Sequence, residues 1–169
     1  MKIRYKLAIG VALIIVVLLA LFVVYSQIPS YDTPEAREAF VKQQDPNNVI
    51  LYEETFGDHV ICISKNGAHE GYHLFKKTLG KIRFDHASHS NIGGAKGYLE
   101  QNGQTYLIYT NFRENARSFD VVYYDLHTNE ELHRDHFTLD GQLSVVPLWS
   151  GEGVGNTIIT YDASGNQIS

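Results

Sequence analysis

The sequence predicts a mainly β protein. An N-terminal transmembrane helix and a short second helix precede an antiparallel β-sandwich or open barrel of about ten short strands. Three observations carry that prediction. Residues 7–25 form one uncharged apolar run. A helix-start signal stands at Asp32-Thr33-Pro34-Glu35. From Val49 onward the apolar positions alternate with a period of two, and turn residues return about every eight to twelve positions.

The run Leu7–Tyr25 contains no charge, no proline and one glycine, Gly10. At 1.5 Å per residue it spans about 28 Å, close to the thickness of a bilayer core. Lys2, Arg4 and Lys6 precede it, and no Lys or Arg follows until Arg37. That asymmetry predicts a cytoplasmic basic tail at 1–6, a transmembrane anchor at 7–25, a tether with a short helix at 26–46 and an extracytoplasmic β domain at 47–169. The expected location is the cell membrane, single-pass, with the N-terminus inside. The alternative is a cleaved signal with secretion of the rest, through a small-residue site ending at Ser26, although the run is longer than an ordinary signal core.

Beyond residue 25 the chain carries eleven basic against nineteen acidic residues, a charge of −8. This argues against nucleic acid as a partner and against docking on an anionic membrane surface. Cys62, the single cysteine, excludes an internal disulfide and sits in an apolar alternation that predicts a buried thiol.

In the second helix, read over 33–44, Asp32 or Thr33 caps the start, Pro34 fits the first turn and Asp45-Pro46 stops it. Strands are expected at 49–52, 59–64, 71–77 and 81–84. A Ser-, Gly- and His-rich loop follows at 85–97, then strands at 97–101 and 105–110 joined through Asn102-Gly103, a hairpin signal. Further strands are expected at 118–125, 131–138, 142–148 and 156–161, with a stub at 167–168. A glycine-rich loop is expected at 150–155. No fixed repeat is present, so a propeller is not expected.

The order of tail, apolar helix, short helix and β domain goes together with Lys76-Lys77-Thr78-Leu79-Gly80, Pro147-Leu148-Trp149-Ser150 and Thr157–Ile168. Over residues 47–169 this resembles small uncharacterised membrane-anchored or secreted β-domain proteins of Gram-positive bacteria. Members often carry a tryptophan after the Lys-Lys strand, where this chain has Lys81-Ile82-Arg83. The resemblance implies an envelope location and a β fold, with no assigned activity.

His69-Glu70-Gly71-Tyr72-His73 matches the H-E-x-x-H pattern, in which two histidines one helical turn apart hold zinc and the glutamate activates water. That chemistry needs a helix. Here the pattern follows a hairpin signal at Asn66-Gly67, and in a strand the two histidines stand about 13 Å apart. His86 and His89 could chelate a metal if their loop curls, with Asp85 as a partner. His133 and His136 differ by three and face opposite sides of a strand. Gly93–Gly97 lacks the order of a phosphate loop. No catalytic set and no cofactor is expected. Trp149, beside Pro147 and the glycine-rich loop, is the candidate for an exposed binding anchor.

These observations predict a non-catalytic binding or accessory module that meets another envelope protein or a wall component near the membrane. The alternatives are a metal-dependent hydrolase using His69, Glu70 and His73, and a structural subunit contacting other membrane proteins through the anchor, where Gly10-Val11-Ala12 offers a small packing patch.

Overall fold

Helix α1 (Lys2–Gln27) contains the whole apolar run and extends past it at both ends in the computed structural model of the chain, which describes residues 2–67, 69–90, 94–149 and 151–168. Gly10–Gln27 is long and apolar enough to cross a membrane, and none of it is buried against protein. In an apolar surrounding the backbone must satisfy its own hydrogen bonds, which overrides the strand preference of Val and Ile.

Helix α2 (Pro34–Gln44) starts at Thr33, whose hydroxyl accepts the Ala36 N–H at 3.3 Å. Asp32, the other candidate cap, instead accepts the Ile82 N–H at 2.8 Å. The helix ends where the Asp45 N–H donates to the Val41 carbonyl.

Three antiparallel sheets follow, and none closes into a barrel. The first runs β1 (Val49–Phe56), β2 (His59–Asn66), β3 (His69–Thr78) and β4 (Lys81–Ser90) in simple meander order. The second joins β5 (Lys96–Gln101), β6 (Gln104–Thr110) and β9 (Leu143–Pro147). The third has the order β11 (Gln167–Ile168), β10 (Val154–Asp162), β7 (Ala116–Asp125), β8 (Glu131–Thr138). The hairpin at Asn102-Gly103 forms with both residues at positive φ, +53° and +78°, the mirror-type turn whose twist suits paired strands.

One expected loop is largely strand. Asp85–Ser90 continues β4, with a bulge at Asp85 and His86–Ser90 paired with β3 from Leu74 to Glu70. Ser and His are weak strand formers, but β3 supplies a complete hydrogen-bonding edge, and tertiary pairing overrides propensity. Asn91, Ile92 and Gly93 of that segment, and Ser150 of the glycine-rich loop, lie outside the described residues.

The second sheet is the middle layer. Its Leu99 and Ile108 pack on Ile61, Ile63, Tyr72 and Leu74 of the first sheet. Its Leu107 and Tyr109, pointing the other way, pack on Phe119, Val121 and Tyr123 of the third. Successive residues of β6 therefore serve two cores, as the period of two requires. Glycine makes the tightest approach possible: a Cβ on Gly97 would stand 1.5 Å from the Tyr72 hydroxyl.

The outer face of the first sheet is covered by α2, where Val41 meets Val60, Cys62 and Phe75, with Tyr31 and Phe40 alongside. An ion pair locks this layer. Arg37, 5% exposed, donates from Nε to Glu53 Oε1 at 2.9 Å and from Nη2 to Oε2 at 2.5 Å. Its Nη1 donates to the Tyr31 carbonyl at 2.7 Å. The Arg37 bonds hold the Glu53 carboxyl below its usual range, while burial pushes the neighbouring Cys62 thiol up.

Arg37→Ala leaves the Glu53 carboxylate facing a core without its partner and is expected to cost about 3 kcal/mol. Replacing both residues by Met is expected to recover most of that loss. Denaturant unfolding of the detergent-solubilised chain measures both; a single substitution as mild as the double one contradicts the assignment.

Candidate functional site

Helix α2 covers only part of the first sheet's outer face. Where it stops at Asp45, a groove of about 460 Å³ stays open. The strand period decides which side chains enter it. His69 and His73 of β3 share parity with the core-covering Phe75, and the pairing of β3 with β4 brings His89 opposite Gly71. The groove is thus lined by His69, His73 and His89, with Asp45, Asn48 and Asn66 at its helix end. Gly71 permits this pairing, since a Cβ there would stand 2.0 Å from the Ser88 carbonyl oxygen.

The floor is a hydrogen-bonded chain. Ser64 Oγ, fully buried, lies 3.1 Å from His73 Nδ1 and 3.1 Å from His89 Nε2. The two imidazole rings stand 4.9 Å apart at a steep angle. Asn66 Nδ2 donates to Asp45 Oδ2 at 2.5 Å. The side-chain amide oxygen Oδ1 of Asn48, a residue 5% exposed, has no hydrogen-bond partner among the described residues. Burial, with the nearby His89, depresses His73 to about 4. His89 is lowered too, by burial and by His69, with Asp45 opposing.

The H-E-x-x-H pattern is divided by this geometry. Glu70 has the opposite parity from the two histidines and pairs with Lys65 Nζ at 2.8 Å. The zinc-peptidase arrangement needs all three groups on one side of a helix, and β3 places them on two sides of a sheet. His86 and His89 also part company, because β4 is a strand there. His86 lies within 3.2 Å of the Tyr72 hydroxyl and 3.0 Å of Asp85 Oδ2. Among the described residues no group of three or more His, Cys, Asp or Glu is arranged to hold a metal ion. His133 and His136 face opposite sides of β8: His133 stacks on Tyr123, while His136 Nδ1 lies 2.6 Å from Asp120 Oδ1. Bonds from His136, Arg134 and Tyr161 to Asp120 outweigh its burial and hold that carboxyl low.

Trp149 is 47% exposed and braced. Its ring stands edge-on to Tyr123 at 5.6 Å and to His133 at 5.7 Å, and its backbone N–H donates to the Tyr123 hydroxyl at 3.1 Å. Beside it opens a shallow cleft of about 210 Å³ between the second and third sheets, also lined by Tyr98, Thr105 and Asn156. Tyr98, 42% exposed, donates to Asn156 Oδ1 at 3.2 Å. The cleft therefore presents two fixed aromatic rings with amide and hydroxyl groups between them.

Ser64 and Asn48 escape a motif search because a lone Ser and a lone Asn carry no spacing signal. Folding β2 onto β3 about Asn66-Gly67 finds Ser64 beside Gly71. His89 joins only when β4 is extended through the Ser- and His-rich segment. No family model, no curated protein and no solved structure matches the chain.

Because His73 resists protonation in the fold, the unfolded chain binds more protons between about pH 4 and the ordinary imidazole value of 6.5. Stability is expected to fall as pH drops through that window, and His73→Gln is expected to flatten the fall. Melting temperature measured against pH checks this; an unchanged slope in the variant contradicts it.

Proposed function

We propose that the chain is a single-pass, membrane-anchored envelope protein whose extracytoplasmic β domain binds a cell-envelope saccharide through Trp149 and Tyr98. The observation that carries the binding reading is the Trp149 ring: nearly half exposed, yet fixed edge-on by Tyr123 and His133. An aromatic face held rigid before binding loses little side-chain freedom on contact. A sugar ring offers an apolar C–H face to such a ring, while Asn156 and Thr105 stand within the same cleft to take its hydroxyls. A strongly acidic domain suits an uncharged or cationic glycan better than an anionic one.

Orientation rests on Lys2, Arg4 and Lys6 before the span. Retention of the span, as against cleavage at Ser26, is supported by the use the domain makes of residues 25–28. The Tyr25 hydroxyl donates to the Leu79 carbonyl, and Lys81 Nζ donates to the carbonyls of Tyr25 and Ile28 at 3.1 and 3.4 Å. Cleavage would remove Tyr25 from those contacts.

Trp149→Ala is expected to weaken binding to envelope polysaccharide about tenfold, the loss of one central aromatic anchor. Tyr98→Phe keeps the stacking face and loses only the bond to Asn156, so it is expected to weaken binding less. Co-sedimentation of the full chain with purified wall glycan measures both. A wild-type chain that binds no envelope saccharide, or a Trp149→Ala variant that binds as well as wild type, contradicts the proposal.

A further inference from the structure

The net charge of the exported part hides a polar distribution. Between Lys76 and Phe84 the β3–β4 hairpin carries Lys76, Lys77, Lys81 and Arg83 and no acidic residue. Among the described residues none of these four makes an ion pair. Of the acids near this cluster in the fold, Asp32 is engaged with Ser30 and the Ile82 N–H and Asp85 with His86, while Asp58 adjoins the cluster through its carbonyl, which accepts the Lys77 N–H.

The tip of this hairpin rests on the end of α1. Besides the Tyr25–Leu79 and Lys81 bonds, Lys81 Nζ stands 4.6 Å and the Arg83 guanidinium 5.6 Å from the Tyr25 ring centre. The Tyr31 N–H donates to the Ile82 carbonyl at 2.8 Å. A lysine more than fifty residues away in sequence thus satisfies carbonyls at the C-terminal, negatively polarised end of the helix. Arg83 Nε and Nη2 are buried in this contact and find no hydrogen-bond partner among the described residues.

The turn itself breaks a local rule. Thr78 and Lys81 pair across a two-residue turn in which Leu79 and Gly80 both have positive φ, +51° and +80°. That backbone suits Asn or Gly at the first position, and a leucine there is strained. Leu79 is also 79% exposed, the most exposed of the large hydrophobic side chains among the described residues. A strained turn that holds a leucine out among four cations, at the end of a membrane-length helix, has the chemistry of an interfacial contact: an apolar side chain for the acyl boundary and cations for phosphates.

We propose that the β3–β4 hairpin docks on the outer surface of the bilayer that α1 crosses, with Leu79 entering the interface and the exposed Lys76 and Lys77 facing anionic phospholipid headgroups, while Lys81 and Arg83 hold the hairpin against the end of α1. This rests on the reading of α1 as a retained membrane span. The domain then has one fixed face toward the membrane and does not swing on a tether. The local cluster overrides the −8 of the exported part because charges separated by more than a Debye length, about 8 Å at physiological salt, are largely screened.

The test uses the full chain in vesicles of phosphatidylcholine, with or without phosphatidylglycerol. An environment-sensitive dye is placed on Thr78→Cys beside the intact Leu79, and on Glu130→Cys in the β7–β8 turn as a reference; Cys62 is fully buried and does not compete. Flotation reports the anchor, and quenching by headgroup spin-labelled lipid reports the docking. The expected result is co-flotation of all variants, strong quenching at position 78 in anionic vesicles and weak quenching at 130. Lys76→Gln/Lys77→Gln is expected to lower the docked-to-undocked ratio about tenfold. Co-flotation without quenching at 78 overturns the docking while leaving the anchor intact. Quenching at 78 that ignores both lipid charge and the lysine substitutions overturns the headgroup contact. Loss of the chain from the vesicles overturns the anchor and the docking together.

Discussion

The Arg37–Glu53 ion pair is the interaction on which the arrangement depends. It joins the one short helix to the edge strand of the first sheet, and through Arg37 Nη1 it also holds the Tyr31 carbonyl. From Tyr31 the chain is only a few residues from the end of α1. Residues 26–32, which read as a short tether, are engaged by the domain: Asp32 accepts the Ile82 N–H, and Tyr31 packs against Phe40 and Phe75. The same helix decides what stays open. Its eleven residues cover Val60, Cys62 and Phe75 and then stop, leaving His73, His89 and Ser64 under a groove.

The other organising constraint is the narrow middle sheet. Three strands cannot shield two cores without burying both faces, so Tyr106, Leu107, Ile108 and Tyr109 run as a continuous apolar stretch. Such a run differs from the clean alternation of a two-layer sandwich, and it explains why the centre of β6 is apolar at four successive positions. Where the second and third sheets meet, Tyr98 and Asn156 come within hydrogen-bonding distance, and Trp149 stands two residues after the end of β9. The aromatic cleft is a product of that seam.

Much of this was legible in the residues, for identifiable reasons. An uncharged apolar run of that length has few solutions, and Thr33-Pro34 and Asn102-Gly103 are local signals that need no tertiary information. What escaped depended on pairing. Asp85–Ser90 has the composition of a loop and becomes a strand only because β3 offers an edge. The histidines of the H-E-x-x-H pattern do share a face, as strand parity requires, but with His89 and Ser64 and apart from Glu70. Net charge was a poor guide to surface chemistry, since it sums Lys76, Lys77, Lys81 and Arg83 with acids distributed across three sheets. Leu79 carried a signal that could have been used: a leucine beside Gly80 at a hairpin tip is poor turn chemistry, and such breaches of local preference gather at functional positions.

The proposed location underlies every functional statement made for this chain, and membrane topology tests it most directly. Cells expressing the full chain carry a single accessible thiol, either at residue 2 or at Glu130, and are treated with a membrane-impermeant maleimide before and after permeabilisation. The account predicts that position 130 labels in intact cells, that position 2 labels only after permeabilisation, and that the labelled chain keeps its full-length mass in the membrane fraction. Labelling of position 130 only after permeabilisation, or a shortened chain released to the medium, contradicts it.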